Sequence, residues 1–195
     1  MNFAGYDWIL AHIDKEAQEA YFITKDIIAE STIFIDANLS LSGDDKRRIA
    51  DDNSKLVEYC ANMLKTIRKN YKNIPLKTVN TAFCRASGER QAGIFIPHID
   101  DHIGTFDYFK TAANRVAKYN GVAADWWITW VRYSVSIYDD ELVMTSYYMY
   151  YITAAGEVNS MGYYLGQTCT DVKGIRPMCC VALDGLPYIL KNMKG

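Results

Sequence analysis

His98 and His102 stand four residues apart with Asp100 and Asp101 between them, a spacing that on a helix would put two imidazoles on one face as metal ligands. Pro97 precedes the pair, Gly104 follows it, and the glutamate of the zinc-protease pattern is missing. The segment therefore reads as a capped turn, and no metal ligand is assigned. Cys179 and Cys180 are adjacent within the apolar run Met178 to Leu183. In a strand such neighbours point to opposite faces, which keeps them from chelating one metal or bridging easily, so both read as core thiols. With Cys60, Cys84 and Cys169 the count is an odd 5 at irregular spacing, which fits reduced, mostly buried thiols better than a disulfide framework. Ser87-Gly88-Glu89-Arg90 lacks the glycine-rich strand-to-helix setting of a nucleophile or phosphate loop. Asp139-Asp140-Glu141 gathers carboxylates without the spacing of a calcium loop, so calcium is not required and no cofactor is implied.

Noncovalent chemistry is better supplied. Tyrosine gives a large, rigid, amphipathic contact area at low rotamer cost, and Trp126 to Tyr164 holds 3 tryptophans and 8 tyrosines. On a regular strand Trp127, Thr129, Val131, Tyr133, Val135 and Ile137 share one face, with Trp126, Ile128, Trp130, Arg132, Ser134 and Ser136 on the other. Asp139-Asp140 turns the chain. The next run, Leu142 to Thr153, sets Val143, Thr145, Tyr147, Met149 and Tyr151 against Met144, Ser146, Tyr148, Tyr150 and Ile152 before a turn at Ala155-Gly156-Glu157. About half of these aromatics are expected in the core or in cross-strand pairs. The doublets Tyr147-Tyr148, Tyr150-Tyr151 and Tyr163-Tyr164 are each expected to send one ring outward, because a sheet with one open side cannot bury both faces.

The elements that must hold this sheet begin with a hairpin: Tyr6 to Ile13, a charged turn from Asp14 to Glu19, and Ala20 to Thr24. Ile33-Phe34-Ile35 is an apolar run of no clear type. From Asp44 to Tyr71 the apolar residues recur at three and four, with acids first and bases last, which predicts one long amphipathic helix or two with a break near Asp51 to Ser54. Lys77 to Cys84 and Gly93 to Ile96 read as extended, joined by a polar loop from Arg85 to Gln91. A second helix is expected from a Thr105 cap through Phe106, Phe109, Ala113, Val116 and Ala117, with Asn120-Gly121 as its left-handed stop. A final strand is expected after Gly174.

The chain has 195 residues, 50% hydrophobic and 23% charged, which excludes a disordered chain and permits a sizeable core in one domain spanning 1–195. Its 21 basic and 23 acidic side chains leave a formal charge of −2, which offers no global field for nucleic acid. No apolar run is long enough to span a bilayer, and Met1 to Leu10 does not read as a Sec signal, which leads to the expectation of no membrane insertion and a cytoplasmic or virion-associated protein.

Several motifs in order resemble an uncharacterised family of bacterial and phage domains: Trp126-Trp127-Ile128, and some fifty residues later Gly174-Ile175-Arg176-Pro177-Met178 with an apolar end. Trp8-Ile9-Leu10, Asp14-Lys15-Glu16 and Ala20 to Lys25 are similar to that family's opening hairpin. Phe95-Ile96-Pro97 and Phe106-Asp107-Tyr108-Phe109 are similar to its central segment. The resemblance covers nearly the whole chain. It implies an α+β, C-type-lectin-like fold with two main helices and a twisted antiparallel sheet, akin to formylglycine-generating-enzyme domains and to variable proteins diversified by retroelements. It also implies a non-catalytic binding protein in which Tyr133, Tyr138, Tyr148, Tyr150, Tyr163 and Tyr164 match the ligand-contacting positions, and the surface expected here adds Trp130, Arg132, Asp139 and Asp140. The scaffold would be held by Trp126, Trp127, Gly174, Arg176 and Pro177.

The expected partner is a protein or glycan, with a homo-oligomer left open. Thr129 and Trp130 stand where the family has arginine and serine, so that arginine's contacts must come from elsewhere, with Arg132 the nearest replacement. Two alternatives are a virion component such as a fibre tip or capsid decoration, and a formylglycine-generating or other thiol or metal enzyme. The copper-holding cysteines of the latter are several residues apart, unlike Cys179-Cys180. Arg176 reads as structural, since its five donors can satisfy several carbonyls at the start of a buried strand, and Pro177 would fix the local φ.

Overall fold

The computed structural model describes residues 1–31, 55–71, 74–81, 90–138, 141–164 and 171–192. The first strands are β1 (Asn2–Phe3), β2 (Tyr6–Asp14) and β3 (Glu19–Thr24), and the expected hairpin is β2 with β3. Asp14 Oδ1 accepts from the N–H groups of Glu16 (2.9 Å) and Ala17 (2.8 Å), and Gln18 adopts a φ of 56°, which closes the charged turn. The chain continues through β4 (Ala29–Ser31), helix α1 (Lys55–Asn70), β5 (Leu76–Lys77), β6 (Val79–Thr81), β7 (Arg90–Ala92) and β8 (Ile94–Phe95). Ile33-Phe34-Ile35 and the first part of the expected long helix lie outside the described residues. α1 buries Leu56, Cys60, Met63 and Ile67, the three-and-four stripe read from the sequence, and carries Arg68 and Lys69 in its last turn.

The second expected helix does not form. A π-helical turn (Ile99–Ile103), a 3-10 turn (Asp107–Lys110) and a single α-helical turn α2 (Ala112–Arg115) follow one another, separated by extended Phe106 and Thr111 and ended by extended Val116. Side chains take the carbonyls that a continuous helix would use. Asn114 Nδ2 donates to Tyr108 O (2.8 Å), Arg115 donates to the carbonyls of Phe109 and Gly156, and Trp126 Nε1 donates to Arg115 O (2.9 Å). Asn120 and Gly121, at φ 51° and 85°, are not a helix stop. They form the tight turn between β9 (Lys118–Tyr119) and β10 (Val122–Ala123), where Asn-Gly suits two successive left-handed residues.

The carboxyl third supplies β11 (Trp126–Tyr138), β12 (Glu141–Ile152), β13 (Val158–Tyr164), β14 (Lys173–Ile175), β15 (Met178–Ala182) and the terminal helix α3 (Leu186–Asn192). The chain is thus mixed α+β with mostly strand content and few, short helices. One sheet has the order β1-β2-β3-β15-β5 with β8 also on β15, a second has the order β13-β12-β11-β14-β4, and β6 with β7 and β9 with β10 form two-stranded ladders. The expected final strand is split. β14 belongs to the second sheet and β15 to the first, with Arg176 and Pro177 at the corner between them.

Two apolar clusters fill the space around these sheets. One joins α1, Trp8, Phe22, Trp127, Met149, Cys179 and Val181; the other joins Ile23, Phe95, Phe106, Phe109, Trp126, Ile128, Ile152 and Met178. Adjacent Trp126 and Trp127 therefore enter different clusters from opposite faces of one strand. Both are fully buried.

Candidate functional site

Strand register sorts the aromatic stretch into two faces. On the Trp127 face the cross-strand rows are Trp127, Tyr151 and Asn159; then Val131, Met149 and Met161; then Tyr133, Tyr147 and Tyr163. On the Trp126 face they are Ile128, Tyr150 and Ser160; then Arg132, Tyr148 and Gly162; then Ser134, Ser146 and Tyr164. Two register shifts break the strict alternation. One, between Ile128 and Val131, takes in Thr129 and Trp130; the other skips Thr145, so that Ser134 pairs with Ser146 but Val135 pairs with Met144. Past the second shift the order read from alternation inverts: Met144 joins the Trp127 face with Val135, and Val143 joins the Trp126 face with Ser136. Tyr138 pairs with Glu141 at the far end, and Asp139 and Asp140 lie outside the described residues.

At its base this sheet is covered on both sides. Trp126, Trp127, Ile128 and Ile152 are fully buried and Met149 nearly so. The expectation that each tyrosine doublet sends one ring outward does not describe Tyr150-Tyr151, where both rings are half-buried. Tyr150 packs with the Trp126 cluster and Tyr151 with the Trp127 cluster. Tyr151 also meets Trp127 edge-on at 6.2 Å, and Lys173 Nζ sits 3.9 Å from its ring centroid. Lys173 in turn bonds Asp125 Oδ2 at 3.2 Å, and Asp125 Oδ1 accepts from Ala154 N–H at 2.9 Å. Neither Asp125 nor Lys173 stood out by spacing or periodicity, since a lone acid before two tryptophans carries no pattern. Farther along, Tyr148 is half-buried with its ring lying over Gly162, where an added Cβ would come within 3.0 Å of it.

Of the residues expected to hold the scaffold, Gly174 is buried in β14 against Ile27, and the Pro177 carbonyl accepts from Thr24 N–H at 3.0 Å. Arg176 is fully buried. Its Nε donates to Thr24 O (2.9 Å), Nη1 to Asn114 O and Arg115 O (3.4 Å each), and Nη2 to Lys25 O and the Tyr108 hydroxyl (3.2 Å each). The guanidinium carbon also lies 5.1 Å from the Trp126 ring centroid.

The groups suited to bond chemistry are held otherwise. His102 Nδ1 accepts from His98 N–H at 2.9 Å. His98 Nδ1 accepts from Asp101 N–H at 3.4 Å and lies 3.1 Å from an Asp101 carboxylate oxygen. Burial, with His98 beside it, pulls the His102 pKa down to about 3. Cys60, Cys179 and Cys180 are buried free thiols, and Cys84 and Cys169 lie outside the described residues. Burial raises the pKa of all three, Cys180 up to about 12, which disfavours thiolate. Cys180 does sit in a cross-strand row with Lys77 and Tyr21, and the Tyr21 hydroxyl donates to Glu19 at 2.5 Å while Lys77 pairs with the other Glu19 oxygen. Sequence reading missed this network, because it forms only when the two chain ends share a sheet. Among the described residues no group of three or more His, Cys, Asp or Glu is placed to hold a metal ion.

Comparison with known protein families, curated proteins and solved structures returned no match. No helix among the described residues is long and apolar enough to cross a membrane.

Proposed function

We propose that this chain is a non-catalytic binding protein with a C-type-lectin-like arrangement, presenting the outer half of the Trp126 face to a protein or glycan. The arrangement is supported by β15 returning beside the amino-terminal hairpin, so that both ends of the chain close one sheet while the aromatic strands form another. The observation that carries the binding role is the register, which collects Arg132, Tyr138, Tyr148 and Tyr164 with Ser134, Ser136 and Ser146 on one face. Tyrosine and serine around one guanidinium is the composition of adaptable recognition surfaces. Register puts Tyr133 and Tyr163 on the opposite face with Tyr147, Val131 and Met161, so this reading leaves them out of the binding set, and Tyr150 contributes only at its half-buried base. High thiol pKa values and an imidazole already engaged within its own turn favour binding over catalysis.

The test uses a panel of defined glycans and a displayed peptide library, each probed with wild-type protein and with Arg132→Ala and Tyr148→Leu. Leucine keeps cover over Gly162. Each change is expected to weaken a captured ligand by more than about 1 kcal/mol with the thermal midpoint unchanged, whereas Tyr133→Ala leaves affinity intact. Equal binding by all variants, or affinity that falls only alongside stability, refutes the assignment.

A further inference from the structure

Asn-Gly occurs once in the chain, at Asn120-Gly121, the turn of the β9–β10 hairpin, with φ 51° and 85°. The base of this hairpin is anchored. Ile27 N–H donates to Lys118 O (3.0 Å), Lys118 N–H to Asp26 Oδ1 (3.1 Å) and Ala124 N–H to Ala117 O (3.1 Å). Beyond Lys118 the turn is closed by the Tyr119–Val122 pair. Asn120 and Gly121 are exposed, Val122 is 70% exposed, and a Cβ added at Gly121 would meet no atom within 4 Å. Among the described residues the Asn120 side chain and the Gly121 N–H take part in no hydrogen bond. Asparagines elsewhere differ on both counts. Asn2 Nδ2 donates to Asp7 Oδ1 (2.9 Å), Asn114 Nδ2 donates to Tyr108 O (2.8 Å), and Asn159 Oδ1 accepts from Ser160 N–H (2.8 Å). Each of these is followed by a residue with a side chain, which crowds the next backbone nitrogen.

We propose that Asn120 is a site of spontaneous modification, at which the side-chain amide converts to an isoaspartyl linkage that lengthens and opens the hairpin tip. The Gly121 nitrogen, having given its proton to hydroxide, bonds to Asn120 Cγ. The Cγ–Nδ2 bond breaks and ammonia leaves, which closes a cyclic succinimide. Water then adds to one of the two ring carbonyls. Cleavage between Cγ and the nitrogen gives aspartate, whereas cleavage at the backbone carbonyl leaves the main chain running through Cβ and Cγ as isoaspartate. The balance is one water taken up and one ammonia released, with no oxidant or reductant. Glycine favours ring closure because no Cβ stands against the approach. Closure requires rotation out of the left-handed turn, and here that rotation breaks the Tyr119–Val122 pair while the anchored base stays in place. The product does not re-form the turn. Isoaspartate adds a methylene to the main chain and a carboxylate to the tip, and a two-residue connection between paired strands has no room for the extra atom.

The test keeps the full chain folded in mildly alkaline buffer and follows the peptide holding Asn120 by mass spectrometry. An isoaspartyl carboxyl methyltransferase with a labelled methyl donor measures the product. The peptide is expected to gain about 1 Da, at a rate within about a hundredfold of that in the urea-unfolded chain, and to become a methyl acceptor. Asn120→Gly keeps a residue suited to the left-handed turn and should lose both signals, while Gly121→Ala should slow them at least about tenfold. Hydrogen exchange across 118–123 should quicken in the converted protein and stay unchanged in Asn120→Asp, which carries the charge without the extra methylene. Conversion in the folded chain more than about a hundredfold slower than in urea, methyl acceptance retained in Asn120→Gly, or unchanged exchange in the converted protein would each overturn the proposal.

Discussion

Replacing Arg176 tests the junction of the two sheets. The fully buried guanidinium reaches carbonyls at Thr24, Lys25, Asn114 and Arg115 and the Tyr108 hydroxyl, so it ties β3, the turns before β9 and the β14–β15 corner together. Burial alone pulls its pKa down, and the Tyr108 hydroxyl beside it opposes that. Not all five contacts weigh equally. Only the Nε bond to Thr24 O is short at 2.9 Å, and the Arg115 carbonyl keeps the Trp126 indole as a second donor. Arg176→Ala therefore leaves about three carbonyls and one hydroxyl without this donor, at roughly 1–3 kcal/mol each, and opens a void under Trp126. Relief of the buried charge offsets part of this, which leaves a net loss of about 3–5 kcal/mol. For a chain of this size that lowers the melting temperature by roughly 10 °C. Arg176→Met keeps the volume and removes the charge and should cost less than alanine, whereas Arg176→Lys, with one ammonium for four segments, should recover less than half. Urea denaturation with matched m-values checks all three. An alanine variant within about 1 kcal/mol of wild type would show that the fork is not what holds this corner.

Acidification should act through His102. Its folded pKa, held down to about 3 by burial and by His98, lies below its unfolded value, so its neutral form contributes stability that is present above about pH 6.5 and lost as pH falls from there toward 3. Below pH 6.5 this site alone should steepen the loss by up to about 1.4 kcal/mol per pH unit, and His102→Gln should flatten that part of a urea-midpoint profile. An unchanged profile in the variant counts against the assignment. Gly156 offers a steric test, because it adopts φ 83° and an added Cβ would collide with the Ala112 carbonyl. Gly156→Ala should cost at least about 2 kcal/mol by thermal melting, through strain at positive φ and displacement of α2; a neutral effect would mean that this turn re-forms freely.

The sequence shows local structure most clearly where one residue type answers one local demand. Alternation with an Asp14 turn marked the first hairpin, and spacing at three and four marked the buried stripe of α1. Residues 105–117 misled for the same reason that α1 did not: Phe106, Phe109 and Ala117 are buried as a helix stripe would be, but in consecutive short turns. The difference lies in Asn114, Arg115, Trp126 and Arg176, which draw carbonyls out of a helical ladder, and three of the four arrive through contacts made outside that segment or far along the chain. The split between β14 and β15 and the Glu19-Tyr21-Lys77 network are likewise products of chain ends meeting. No local window contains both partners.

The candidate surface was partly legible because a strand's two faces can be read from its sequence, but only as far as the register holds. The skip at Thr145 is a one-residue event that leaves composition and spacing unremarkable, yet it transfers Met144 and Val143 to the faces opposite those that alternation gives them. Its consequence is chemical. With Met144 and Leu142 beyond it, the Trp127 face continues along β11 as Val131, Tyr133, Val135 and Ile137, aliphatic apart from Tyr133, and the serines fall with Arg132 on the other face. At the base both faces serve the core, so tyrosines there are half-buried whatever their direction. Recognition can therefore be separated from stability only past the point where the Trp126 face leaves its cluster, between Tyr150 and Tyr148. That boundary decides which substitutions test the proposed surface and which test folding: Tyr150, packed against the Trp126 cluster, belongs to the second kind, and Tyr148 to the first.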